Sequence, residues 1–349
     1  MNVTVIGSHL CPDTLYALNR LSEAGAEIDF RNLSVSLSDL KVYLALRQDS
    51  PVYADVRENG GIGTPCFLLE DGTVTRDLQA VKAAITPATK AIYLETPTNP
   101  LLRVTDIAAV AKIAKDRGIL SIIDNTFSSP YVQRPLDLGV DIVLHSASKY
   151  LGGHSDLVAG LVVTNDQALG EKIGYLQNAI GGILAPQESW LLQRGMKTLS
   201  LRMRAHLANA EAIFNYLKNQ PLVSKIYYPG DPKNPDYEVA QKQMHGFGAM
   251  ISFELQAGLD PKQFVEQLQV ITLAESLGAL ESLIEIPALM THGSIPRDIR
   301  LKNGIKDELI RLSVGVEDQK DLLADLERGF DQLKGSHQDV SNSKVHSQA

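Results

Sequence analysis

His145-Ser-Ala-Ser-Lys-Tyr-Leu-Gly-Gly-His154 is a lysine-bearing turn at the end of a strand. The run Ile142–His145 that opens it is apolar up to its final histidine, which suits a strand buried on both faces of a mainly parallel sheet. Serines and paired glycines then stop the strand, so Lys149 stands at the mouth of the sheet. A second apolar run, Ile119–Asp124, ends in Asp124-Asn-Thr-Phe. A lysine so placed can form an imine with an aldehyde. A carboxylate on the neighbouring strand end can keep a pyridine nitrogen protonated. The pair points to pyridoxal phosphate (PLP) chemistry.

Outward from this pair, helix–strand units repeat from residue 78 onward. Ala91–Glu95 and Leu157–Thr164 read as further buried strands. Thr105 reads as the cap of a helix whose Ile107, Val110, Ala111 and Ala114 form one stripe, ended by Gly118. A long helical region is expected from Gln187 to Lys218. After Pro221 the pattern becomes a smaller α+β unit, with strands at Lys225–Tyr228, Ala249–Leu255, Val270–Leu273 and Leu309–Val314 and a closing helix over Asp318–Leu333. Ahead of residue 78 the order is β-α-β-α-β-β. Strands at Val3–Gly7 and Glu27–Leu33 alternate with helices opened by Cys11-Pro12-Asp13 and spanning Ser38–Arg47. A hairpin, Thr64–Leu69 and Thr73–Arg76, closes around Glu70-Asp71-Gly72. The expected domains are 1–77, 78–220 and 221–334, with a disordered polar tail over 335–349.

Bulk properties narrow the function. A chain of 349 residues exceeds a single compact core. A net charge of -8 lacks the clustered basic face that nucleic acid requires. No apolar run reaches the length of a membrane span, and Met1-Asn-Val-Thr-Val-Ile reads as a strand rather than a signal peptide. The 2 cysteines cannot form a disulfide scaffold, and a cytoplasmic location is expected. His145, His154 and His292 lack metal-ligand spacing and read as polar core or pocket-wall groups.

Two resemblances organise these readings. Residues 78–333 resemble the PLP-dependent enzymes of cysteine and methionine metabolism, the cystathionine γ-synthase and γ-lyase relatives. The match rests on Glu95-Thr-Pro-Thr-Asn-Pro100, Asp124-Asn-Thr-Phe, Ser146-Ala-Ser-Lys-Tyr-Leu-Gly-Gly-His154, Ala274-Glu-Ser-Leu-Gly278, Met290-Thr-His292 and Arg311-Leu-Ser-Val-Gly315. Residues 1–77 resemble a glutaredoxin-like, thioredoxin-fold module through Cys11-Pro-Asp-Thr14 and Thr64-Pro65. The fold class implied is α/β: a thioredoxin-like module fused to an incomplete PLP-transferase large domain (fold type I, aspartate-aminotransferase-like) plus a C-terminal α+β domain.

The first resemblance assigns roles by position. Lys149 carries the cofactor and moves protons, and Asp124 pairs with its ring nitrogen. Ser146 and Ser148 bind its phosphate, and Asn99 touches its ring oxygen or the substrate carboxylate. Arg311 clamps the amino-acid carboxylate with support from Ser276, and Glu275 reads the distal end of the substrate. Arg311 lies on an apolar strand, so a buried charge partner is required as well. A homo-oligomer acting on a small sulfur amino acid is implied. In the second resemblance Cys11 is a thiol at a helix start, either redox-active or structural. Thr14 stands where dithiol members carry their second cysteine, and Cys66 reads as a small buried hydrophobe. The family carries a further N-terminal part with a phosphate loop, a stacking tyrosine and a tyrosine–arginine pair, none of which is read in this chain. The expectation is weakened PLP binding. The alternatives are a thiol-redox module on a catalytically inactive PLP-fold body, or an inactive truncated product.

Overall fold

The computed structural model describes residues 85 and 87–346, with side chains to residue 334, and the backbones of residues 2–7, 27–32, 67–68 and 74–75. The chain falls into two compact units, Met1–Gly61 and Ile62–Ala349. In the first, β1 (Asn2–Gly7) and β2 (Glu27–Asn32) pair in parallel, where the sequence reads its first two strands. Cys11, Thr14, Thr64, Pro65, Cys66 and the helices read from Cys11 and over Ser38–Arg47 lie outside the described residues.

The second unit opens with a short antiparallel pair, β3 (Phe67–Leu68) and β4 (Val74–Thr75), at the hairpin read from the sequence. The reactive turn belongs to the next sheet. It contains β5 (Ala91–Glu95), β6 (Leu120–Asp124), β7 (Ile142–Ser146) and β8 (Gly160–Val163), in that spatial order. The first three are parallel and β8 is antiparallel to β7. Helix α1 (Ile107–Arg117) crosses from β5 to β6 and buries Ile107, Val110, Ala111, Ile113 and Ala114. These pack with Ile92, Leu94, Ile123 and Val143 into one core. Gly118 takes the left-handed conformation, φ 65°, that ends the helix.

Three expectations need correction in this region. The cap of α1 is Asp106, whose carboxylate accepts the Ala109 N–H at 2.9 Å. Thr105 sits one residue earlier, with its own N–H held by the Thr96 hydroxyl. The run Leu157–Thr164 is not a strand buried on both faces. Only Gly160–Val163 pairs, and Val162 and Val163 remain 50% and 41% exposed. It folds straight back from the lysine turn, so it is antiparallel and forms the sheet edge. The helical region Gln187–Lys218 is broken between α4 (Pro186–Met196) and α5 (Leu199–Leu217), after a separate α3 (Gln167–Ile180). At the break the Gly195 carbonyl accepts from the Thr198 hydroxyl and the Arg202 guanidinium. A short α2 (Ser129–Val132) completes this half.

The C-terminal half is built on a second sheet, ordered β11-β12-β13-β10-β9. Its strands are β9 (Val223–Tyr227), β10 (Met250–Leu255), β11 (Thr272–Leu273), β12 (Leu283–Glu285) and β13 (Leu309–Ser313). Every residue of β10, β12 and β13 is buried. Short helices α6 (Tyr237–Gln243), α7 (Pro261–Val265) and α8 (Arg297–Lys302) connect them. Helix α9 (Gln319–His346) closes the unit by burying Leu322, Leu326, Phe330 and Leu333, whose spacing keeps them on one face. It runs on past Gly335, where a disordered tail is expected from composition. No proline follows, and one interior glycine costs only about 1 kcal/mol, so the helix continues. Among the described residues no helix is long and apolar enough to cross a membrane.

Candidate active site

Parallel strands end together at one edge of a sheet, which lets side chains from neighbouring strands converge there. Glu95 on β5 is in register with Asp124 on β6, and Asp124 with Leu144 on β7. Asp124 Oδ1 accepts the Thr126 N–H at 2.9 Å, and its other oxygen has no partner among the described residues. The Thr126 hydroxyl in turn accepts the Ser146 N–H at 2.8 Å. This ties the two strand ends together and leaves the Ser146 hydroxyl unbonded among the described residues. His145 is nearly buried beside Asp124. Burial lowers its proton affinity, with Asp124 partly opposing.

Lys149 is half-buried on the turn after β7, and its Nζ donates to Ser276 Oγ at 2.9 Å. Burial lowers its pKa, Arg311 lowers it further, and Glu285 opposes both. That direction favours the neutral, nucleophilic amine. Ser148 is differently employed. Its hydroxyl accepts the Ala159 N–H at 2.9 Å and donates to the Ala159 carbonyl at 3.3 Å, pinning the turn to the residue before β8. Arg202 pins it from below, donating to the carbonyls of Tyr150, Leu151 and Gly195. A Cβ on Gly153 would collide with that guanidinium, so the close approach requires glycine.

The second sheet supplies the other wall. Arg311 on β13 and Glu285 on β12 are in register, 2% and 0% exposed, with Nη1 3.0 Å from Oε1. Nη1 also donates to Asn99 Oδ1 at 2.9 Å, and Nη2 donates to the carbonyls of Glu275 and Ser276. Asn99 arrives because Ser252 on β10 donates to the Pro100 carbonyl at 2.6 Å. Glu285 Oε1 additionally accepts from the Thr291 hydroxyl at 3.0 Å, which contacts His292 Nδ1 at 2.9 Å. Burial pushes the Glu285 carboxyl up to about 7 against the pull of Arg311 and Thr291. Arg311 Nε and Glu285 Oε2 are buried without partners among the described residues.

Lys149, Ser276, Glu275, Asn99 and Arg311 are therefore brought together, with Asp124 and Ser146 on the adjoining sheet edge. Of the Glu275 role, only the backbone carbonyl contact to Arg311 is in place. Sequence reasoning required a partner for Arg311 but did not find Glu285. The available signal was an acid inside the apolar run Leu283-Ile-Glu-Ile286. Arg202 gave a comparable signal as a cation within an apolar helix. Among the described residues no cluster of histidine, cysteine or acidic side chains could hold a metal.

The donor set fits PLP: an amine with lowered pKa, a strand-end carboxylate and a nearby Ser146 hydroxyl, the latter two each with an oxygen that has no partner among the described residues. The orphaned Arg311 Nε–H suits a ligand carboxylate. The family described as "Cys/Met metabolism PLP-dependent enzyme" matches residues 70–331. The chain belongs to this family. It is an enzyme of the PLP-dependent carbon–sulfur lyase and transferase type. The cystathionine β-lyase of Lactococcus lactis subsp. cremoris (strain MG1363) is 58% identical over 255 residues, covering 73% of this chain and 67% of that protein. The cystathionine γ-lyase of Bacillus subtilis (strain 168) is 55% identical over 259 residues, covering 74% and 68%. A crystal structure of cystathionine γ-lyase from Lactobacillus plantarum complexed with L-serine superposes with TM-score 0.74 at 78% identity, over 75% of this chain and 69% of that one. Membership explains the glycine in Ala274-Glu-Ser-Leu-Gly278 physically. A Cβ on Gly278 would meet the Tyr150 backbone nitrogen at 2.8 Å, at the contact between the two site-bearing sheets.

Proposed function

We propose that the chain is a carbon–sulfur lyase acting on cystathionine or a close sulfur amino acid. PLP supplies an electron sink for charge developing at the substrate Cα. Lys149 holds the cofactor and, once released, moves the Cα proton with its Nζ, steadied by Ser276. Asp124 holds the ring nitrogen protonated, Ser146 holds the phosphate, and Ser148 shapes the turn between them. Arg311 orients the substrate by its carboxylate, with Asn99 beside it, and Glu275 borders the distal end. The carrying observation is the convergence of Lys149 Nζ and the Arg311 fork on Glu275-Ser276. It puts the proton-moving amine and the carboxylate clamp on one short segment. The two lyases at 58% and 55% stand above the Mycobacterium bovis cystathionine γ-synthase at 50%, but the Dictyostelium discoideum γ-lyase is also at 50%, so analysis of the products separates elimination from replacement.

The test is PLP titration of wild type and Lys149→Ala, followed by borohydride reduction and peptide mapping. The cofactor is expected on Lys149 alone, and equal labelling of both proteins would refute the assignment. The products then identify the bond broken. Cleavage at Cβ–S gives pyruvate, ammonia and homocysteine, whereas cleavage at Cγ–S gives 2-oxobutyrate, ammonia and cysteine. The same titration measures how tightly PLP is held.

Three further readings belong to this proposal. Residues 1–77 form a thioredoxin-like module with Cys11 as its thiol, a reading supported by the parallel β1–β2 pair that a β-α-β start requires, while the unit boundary after Gly61 assigns the β3–β4 hairpin to the later unit. Residues 78–220 and 221–334 act as large and small domains. The enzyme is a cytoplasmic homo-oligomer, which light scattering of the full chain would test.

A further inference from the structure

We propose that Glu285 is a positioning residue for carboxylate recognition, one that holds the Arg311 fork and takes up a proton from solvent when a ligand carboxylate docks there. The inference rests on Arg311 being the carboxylate clamp.

The geometry leaves little choice about where a ligand enters. Arg311 Nη1 is engaged by Glu285 and Asn99, and Nη2 by two carbonyls. The donor left over is Nε–H, buried and without a partner among the described residues. A docking carboxylate therefore adds a second anion to a guanidinium that Glu285 already neutralises. The charged groups facing Glu285 come from every side of it. Arg311 is on β13, Lys149 on the turn after β7, and Glu275 on the loop after β11. His292 follows β12 and is reached through Thr291, with Arg300 of α8 behind it. Glu95 at the end of β5 and Tyr150 act on the same guanidinium.

Among these, the near cations are Lys149 and Arg311, and the near anions are Glu285 and Glu275. One more anion tips the cluster negative. Glu285 is the acid whose charged form burial already disfavours, so it takes the proton most readily. Its two oxygens divide the work. Oε1 goes on accepting from Arg311 and Thr291, and Oε2, which has no partner among the described residues, receives the proton. The fork stays in place while its counter-charge passes from protein to ligand.

The probe is propionate, a carboxylate with no amine to react with the cofactor, titrated calorimetrically into the PLP-loaded full chain. Buffers of different ionisation heat give the protons taken up. Wild type is expected to absorb most of a proton at about pH 8, with affinity falling roughly tenfold per pH unit above about pH 7. Glu285→Gln preserves size and the Oε1 acceptor, so it should bind propionate with flat pH dependence and no such uptake. Equal uptake in both proteins, or pH-independent binding by wild type, overturns the proposal. Arg311→Lys separates the two ideas. Unchanged propionate binding in that variant removes the clamp reading itself, and no binding by wild type removes both. If the glutamine variant does not fold, difference infrared spectra of wild type with ¹³C-propionate decide. A new protonated-carboxyl band is expected, and its absence refutes proton uptake.

Discussion

The two larger sheets of the second unit differ in how they treat their charged residues. The sheet of β9–β13 encloses them: Arg311 and Glu285 lie within strands whose every residue is buried. The sheet of β5–β8 presents them at its rim, with Lys149 and Asp124 half-buried at strand ends. One edge of it, β8, has no buried residue, and neither has α3. In the proposed function, the carboxylate clamp is thus built into a core, and the lysine and its carboxylate are mounted on a border. A group inside a core is held by everything packed around it, so its removal damages the fold. A group at a border can be removed with the scaffold intact.

The largest effect expected at the border is Asp124→Asn. Exchange of the Cα proton of a bound amino acid should fall by about 100–10,000-fold, with PLP still attached. Denaturant unfolding should shift by less than about 1 kcal/mol. Exchange at the wild-type rate, followed by NMR in deuterated water, would remove Asp124 from the reaction.

In the enclosed sheet the comparison predicts the reverse. Arg311→Leu and Glu285→Leu should each lose about 3–5 kcal/mol of stability, because each strands a buried charge. The double variant should lose much less than their sum. A cycle measured in urea that proves additive would show that the pair is not electrostatically coupled.

A smaller effect follows from His206 on α5, which is fully buried, T-stacked on Tyr150 at 5.3 Å and hydrogen-bonded through Nδ1 to the Val314 carbonyl at 2.7 Å. Burial is the main cause of its pKa falling to about 4, partly opposed by that carbonyl. The unfolded chain, with a pKa near the ordinary 6.5, takes up the proton first as pH falls. Stability should therefore drop between about pH 6.5 and pH 4, by about 3 kcal/mol in all. Denaturation midpoints across that window should flatten in His206→Gln, and an unchanged slope would exonerate the histidine. Smallest of all, Val162→Lys on the open edge should change stability by less than about 0.5 kcal/mol. A loss of several kcal/mol would mean that this edge is covered in solution, and the contrast between the sheets would narrow.

How much of this was legible beforehand varied with range. The strand-end positions of Asp124, Ser146 and Lys149 were readable because each sits at the end of an apolar run or in the turn that follows it, a pattern confined to neighbouring residues. The α1 stripe was readable for the same reason, and its cap was misplaced by one residue because Thr105 and Asp106 are both good caps. Leu157–Thr164 misled because apolar composition indicates a strand without indicating whether anything covers it. The strand Leu283–Glu285 went unread because it is short and contains an acid. That acid is the partner of Arg311, supplied across the sheet rather than along the chain.

The amino-acid sequence by itself determined most of the strand and helix order, the family, the lysine at a strand end with a carboxylate on the neighbouring strand, and the need for a counter-charge at Arg311. These follow from periodicity, turn chemistry and the cost of burying a guanidinium. Tertiary structure alone decided which group answers that need, that Ser148 fastens the turn to Ala159, and that Arg202 and Gly278 hold the turn from either side. Each of these depends on residues far apart in the chain or on which donor reaches which acceptor first. Such competition is resolved by distance in space, which local sequence does not contain.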